Sequence, residues 1–176
     1  KNFSVSRPEQ GLIIKFENTV LPAFAAKYKH RKFGYEFFLV VIDYSSGPDI
    51  VDADQREEFS ELIAQTVGNE SRGLPIVVAG DWRNNAESNE IETHFDIFSS
   101  QFLSIDLFQA QKNTVINTDQ SNPVVKKYNN ILFSSKAWSK GAVTNLGPCG
   151  KVSGQAKYQR TIGDNCPTLF VLERKL

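Results

Sequence analysis

The chain has 176 residues, 40% of them hydrophobic, with 20 Lys and Arg against 20 Asp and Glu. That suits one domain over residues 1–176 with a core of its own, and no apolar run approaches the roughly 20 residues a membrane-spanning helix needs. The zero net charge hides a division: residues 1–100 carry ten basic and sixteen acidic side chains, residues 101–176 ten and four.

Gly11 to Phe16 reads as a strand, and the basic stretch Lys27 to Gly34 as a hairpin connection. Tyr35 to Ile42 is the longest apolar run and predicts a central strand, ending in the turn-rich Asp43-Tyr44-Ser45-Ser46-Gly47-Pro48. Much of the acidic excess lies in Asp49 to Glu61, a charge run that reads as a solvated helix face. From Asp54 to Val67, Phe59, Leu62, Ile63 and Thr66 fall at helical spacing, with Asp52 or Asp54 able to cap the start. Gly68 to Gly73 closes that helix. Ile76 to Ala79 then predicts a buried strand that ends by presenting the carboxylate of Asp81.

Asn84 to Glu92 reads as polar loop, Phe95 to Leu107 as a short helix and then a short strand, and Gln109 to Asn122 as a polar excursion. Further strands are expected at Tyr128 to Phe133, at Trp138 to Asn145 and at Pro167 to Glu173, with a Gly-containing loop from Gly147 to Lys157. Strand–helix–strand order from Phe37 to Ala79 places helices outside sheets. Trp82 and Trp138 read as core or interface aromatics. The two histidines, His30 and His94, fall in loop-like segments and read as surface residues. The chain contains no Met, which fits a mature or processed fragment.

Two Gly-Asp corners carry the chemistry, Gly80-Asp81 and Gly163-Asp164. Rigid strand ends are good holders of metal-binding or catalytic carboxylates, although Gly-Asp is also ordinary turn chemistry. Lys126, Lys127, Lys136, Lys140, Lys151, Lys157 and Arg160 are candidates for a phosphate-facing patch, and scattered solvated lysines are the commoner explanation. Cys149 and Cys166 form either a disulfide or two thiols, and spacing alone does not decide. Sequons at Asn2 and Asn69, both in loop-like segments, lean towards a secreted or extracellular protein with glycans there.

The motifs Phe38 to Tyr44, Gly80-Asp81-Trp82-Arg83, Tyr128-Asn129-Asn130-Ile131 and Gly163-Asp164-Asn165-Cys166-Pro167 resemble, in this order, those of the endonuclease/exonuclease/phosphatase superfamily, and of its deoxyribonuclease-I-like members most of all. Phe3-Ser4, Arg7 and Leu12 to Phe16 resemble the segment that precedes the central strand in that family, which implies a phosphate contact from Arg7. The resemblance implies an α/β (α+β) fold of four layers, two packed, mainly antiparallel sheets flanked by helices. It implies phosphodiester chemistry with Mg²⁺ or Ca²⁺, metal held by Asp81 and Asp164, and nucleic acid as a possible partner.

Position by position, the family's set is altered. Asp81 and Asp164 match, but Asn165 and Asp43 stand where the family has its two catalytic histidines. Arg83 replaces an Asn, Asn129 replaces an Asp, and the family's first third, with its metal-binding Glu, has no counterpart. Imidazole is the side chain suited to exchanging protons near neutral pH, and losing one general acid or base costs about 10²–10⁴ in rate. The resemblance therefore implies a degenerate domain that binds or supports rather than catalyses. The alternative is a metal-dependent phosphodiesterase or endonuclease with a rearranged site or one completed by a second chain. Either way, a protein partner or a copy of this chain is expected to cover the surface that the missing third would occupy.

Overall fold

The computed structural model describes residues 3–5, 11–15, 22–44, 53–82, 90–109, 129–145 and 168–175. In chain order their elements are β1 (Phe3–Val5), β2 (Leu12–Lys15), β3 (Pro22–His30), β4 (Glu36–Asp43), α1 (Ala53–Ser71), β5 (Ile76–Asp81), α2 (Glu90–Gln101), β6 (Ile105–Gln109), β7 (Asn129–Ser134), β8 (Trp138–Asn145) and β9 (Thr168–Arg174). Seven strands form one sheet in the order β1-β3-β4-β5-β7-β6, with β2 also paired to β3. Among the described strands only β4 and β5 run parallel. Parallel neighbours need a long crossover, and α1 supplies it. Strands β8 and β9 make a separate antiparallel pair.

The period-2 alternation of β4 decides the layering. Phe38, Val40 and Ile42 point to one face, where they join Ile76, Val78 and Leu132 in a core closed by Phe59, Ile63 and Val67 of α1 and Ile91 and Phe98 of α2. Phe37 and Leu39 point to the other face and pack with Val77, Phe133, Trp138 and Phe170, the last two from the β8–β9 sheet. Among the described residues the layers are therefore helices, large sheet, small sheet. This is the mainly antiparallel α+β sandwich that the sequence implied, with both sheets packed through one apolar interface.

Three sequence readings need correction. Lys27 to His30 is not part of a connection. It continues β3, and the turn is confined to residues 31–33. The cross-strand pairs Tyr28↔Phe37 and Lys29↔Glu36 hold it, with a Lys27–Glu36 ion pair at 2.7 Å. Glu90 to Glu92 belongs to α2 rather than to a loop. Asn69 lies in the last turn of α1, which runs to Ser71, about one turn beyond the expected stop at Val67, with Val67 and Ser71 both buried.

One register row crosses the large sheet from Ile13 through Phe24, Val41, Ala79 and Ile131 to Phe108. The small sheet covers its β7–β6 end, where Phe170 meets Phe108 edge-on at 5.3 Å. The opposite end lies open, with Ile13, Phe24 and Val41 exposed by 65%, 37% and 42%.

Candidate functional site at the strand ends

Asp43 and Asp81 are the last residues of the two parallel strands and are register partners. Asn129, the first residue of β7, is the register partner of Asp81 on its other side. Three neighbouring strands thus end in one row, spaced by the roughly 4.8 Å between adjacent strands. Asp81 is buried and Asp43 half-buried, on the sheet face that looks towards β9. A cavity of about 360 Å³ opens there, lined by Ala79, Asp81, Asn130, Thr168, Leu169 and Phe170 among others.

Gly80 explains why the sequence spells Gly-Asp at this point. Its φ is +149°, and a Cβ built on it would stand 1.8 Å from the carbonyl oxygen of Ile42. Only glycine lets β4 and β5 approach so closely just before their carboxylates.

The opposite face of the same strand ends is anchored. The Tyr44 amide donates to the Asp81 carbonyl at 2.9 Å. The Trp82 indole Nε1 donates to the Asn130 carbonyl at 2.9 Å. Both rings are fully buried and meet edge-on at 6.1 Å. Tyr44 Oη shares a hydrogen bond of 2.5 Å with Ser60 Oγ, which in turn bonds His94 Nδ1 at 3.0 Å. Burial pushes the Tyr44 phenol well above its usual range, against the opposing pull of its Ser60 hydrogen bond. His94 Nε2 has no hydrogen-bond partner and stands 3.8 Å from Glu90 Oε1. Glu90 accepts a short hydrogen bond from Arg56 Nε. Burial alone would raise the Glu90 carboxyl. The adjoining His94 ring and Arg56 guanidinium outweigh it and hold the group below the ordinary glutamate value.

The two histidines are thus not surface residues. His94 is fully buried on α2, and His30 is 6% exposed, stacked between Phe33 and Tyr35. The signal for His94 was present: Glu90, His94 and Phe98 recur every four residues, which puts them on one helix face. Reading that stretch as loop obscured it. Ser60, His94 and Glu90 have the residue types of a nucleophilic triad, but no substrate reaches a group that is fully buried.

Trp82 and Trp138 are both core aromatics, as expected. Lys136 lies in the turn after β7, at the end of the sheet opposite Asp81, and Lys140 pairs with Asp106 at 3.0 Å, so neither joins the strand-end row. Asn2, Arg7, Arg83, Cys149, Asp164, Asn165 and Cys166 lie outside the described residues, as do Lys126, Lys127, Lys151, Lys157 and Arg160. Among the described residues no three His, Cys, Asp or Glu side chains gather closely enough to hold a metal ion.

No family model and no curated protein matches the sequence. Solved structures do. An endonuclease/exonuclease/phosphatase family protein from Bacteroides thetaiotaomicron aligns with a TM-score of 0.65 at 16% identity, over 99% of this chain and 67% of that one. The human Nocturnin catalytic domain aligns at 0.59 and 17% identity, over 97% and 61%. TDP2 from D. rerio, in complex with a single-strand DNA product, aligns at 0.58 and 13%, over 83% and 60%. The chain thus spans about three fifths to two thirds of the length of these structures. The strand order, the packed sheets and these alignments together establish that this chain has the endonuclease/exonuclease/phosphatase, deoxyribonuclease-I-like fold.

Proposed function

We propose that this chain is a non-catalytic member of its fold class, a binding domain whose strand-end carboxylates hold a divalent cation weakly. The observation that carries this reading is the location of its only two imidazoles. His94 lies sealed beneath the helices, on the opposite side of the sheet from the carboxylates. His30 ends β3 beside Tyr35, at the far end of β4 from Asp43. Phosphodiester hydrolysis near neutral pH calls for a proton acceptor for the attacking water and a donor for the leaving oxygen. Asp43 stands at the relevant strand end, where the chemistry would call for an imidazole that exchanges protons near neutral pH.

The donor set fits a hard cation. Two carboxylates on adjacent strand ends suit Mg²⁺ or Ca²⁺, and Mg²⁺ commonly keeps several waters while bound to one or two carboxylates. The family resemblance adds Asp164, outside the described residues, as a further ligand. When bound, the cation would neutralise a phosphate or a partner's carboxylate. Asp43 and Asp81 would hold and orient it.

The test is plasmid nicking with Mg²⁺, Mn²⁺ or Ca²⁺ beside an Asp81→Ala control. Parent and control should be equally silent. Nicking by the parent that the control loses would overturn the reading. In parallel, Mn²⁺ affinity should fall at least about tenfold in Asp43→Asn and in Asp81→Asn, the loss of about 1.4 kcal/mol of binding.

A second reading keeps catalysis, with the site completed by a second chain. The open apolar row Ile13, Phe24 and Val41 supports it, because a contiguous exposed apolar strip on a sheet face is what a partner or second copy would cover. Under that reading, sedimentation should show self-association or partner capture that Phe24→Asp abolishes. A parent that stays monomeric at high concentration, and whose sedimentation Phe24→Asp leaves unchanged, counts against it.

A further inference from the structure

We infer that His94 is a positioning residue for the strand-end carboxylates, acting through Ser60, Tyr44 and Trp82. The inference deepens the cation-binding reading above and rests on it for its functional meaning.

Each aspartate is followed directly by an aromatic residue that crosses to the helix side of the sheet: Tyr44 after Asp43, Trp82 after Asp81. His94 contacts both. Its ring lies 5.6 Å from each of their ring centres, and its Nδ1 reaches Tyr44 through Ser60. The two aromatics then control the backbone at the site. Tyr44 N–H closes the last bond between β4 and β5 on the carbonyl of Asp81 itself, and the Trp82 indole fixes the carbonyl of Asn130, next to Asn129. A displacement of His94 would therefore move both aspartates relative to each other.

Two further facts favour a positioning role over simple packing. A fully buried imidazole leaves Nε2 without a hydrogen bond, a cost that an aromatic hydrocarbon of similar shape would avoid. The ring is also steered from one side by a hydroxyl and from the other by a carboxylate that is itself fixed by Arg56. Such support is what holds paired ligands to a fixed spacing.

The experiment uses the full chain, Mn²⁺ as probe, and two variants. His94→Phe keeps a ring against Tyr44 and Trp82 and deletes Nδ1. His94→Asn restores a polar atom near the Nδ1 position. In His94→Phe, Mn²⁺ affinity should fall about tenfold or more and the Tyr44 amide should exchange at least about tenfold faster, while the Val40 amide in the middle of β4 keeps its protection. His94→Asn should return both readouts towards the parent. A folded His94→Phe with parental affinity and parental Tyr44 exchange overturns the inference, and so does His94→Asn without rescue. If His94→Phe does not fold, Ser60→Ala, which leaves the ring in place and cuts only its path to Tyr44, decides by the same readouts. A parent that binds no Mn²⁺ refutes the cation reading alone. The Tyr44 exchange then still decides whether His94 sets the strand ends.

Discussion

Gly80→Ala should destabilise the chain by roughly 3–5 kcal/mol, the sum of a strained φ and an overpacked backbone contact. The new Cβ would stand 1.8 Å from the Ile42 carbonyl oxygen, and its nearest neighbours are all backbone atoms of Ile42, which cannot rotate away as a side chain would. Relief requires β4 and β5 to part at the end that carries Asp43 and Asp81. A domain of this size has about 5–15 kcal/mol to lose, so the variant should unfold at a much lower denaturant midpoint and lose Mn²⁺ binding even where it stays folded. Gly34 separates the two causes. It also has a positive φ, +70°, but open space where its Cβ would go. Gly34→Ala should therefore cost only about 1 kcal/mol, the left-handed penalty alone. Equal costs at the two glycines, measured by urea unfolding, would show that the close approach of β4 and β5 is not what Gly80 serves.

Glu90→Ala should cost about 1.5–3 kcal/mol at neutral pH, because it removes the carboxylate that accepts from the mostly buried Arg56 guanidinium. The two side chains are only 12% and 10% exposed, so water does little to compensate. The same pair makes stability depend on acid. The folded-state pKa of Glu90 is lowered relative to the ordinary value of 4.5. Its contribution is then complete above the unfolded-state pKa and drains away as pH falls from about that value through the lower folded-state one. The parent's thermal midpoint should thus drop on acidification below about pH 4.5. Glu90→Gln, already lower at pH 7, should drop less over the same range. Parallel curves for parent and Glu90→Gln would remove Glu90 from the acid response. Double substitution of Arg56 and Glu90 by apolar residues should recover part of the loss, because it removes both charges from the packed layer together.

The neighbours of known structure are longer than this chain, which covers 67% of one and 61% of another. The small sheet β8–β9 covers one end of the large sheet and leaves Ile13, Phe24 and Val41 at the other. That exposed row is the surface a partner would cover under either reading.

Sequence by itself determined the elements whose pattern is strong and local. Tyr35 to Ile42 and Ile76 to Ala79 read as strands from β-branched and aromatic runs, and the period of Phe59, Leu62 and Ile63 gave α1. Motif order gave the fold class, because chain order survives when side chains change. The Gly-Asp corner pointed to Asp81, but its register with Asp43 and Asn129 appears only once three separated strands pair, since local sequence says nothing about which strands become neighbours. The basic composition of Lys27 to His30 suggested a connection, and cross-strand pairing overrode it. His94 is the clearest case. A histidine in a polar stretch reads as exposed, and only the packing of α2 on α1 and the sheet turns it inward, where Ser60, Tyr44 and Trp82, from three other segments, close around it. The four-residue recurrence of Glu90, His94 and Phe98 puts His94 on one helix face, but which face turns inward and what meets it there are properties of the assembled layers.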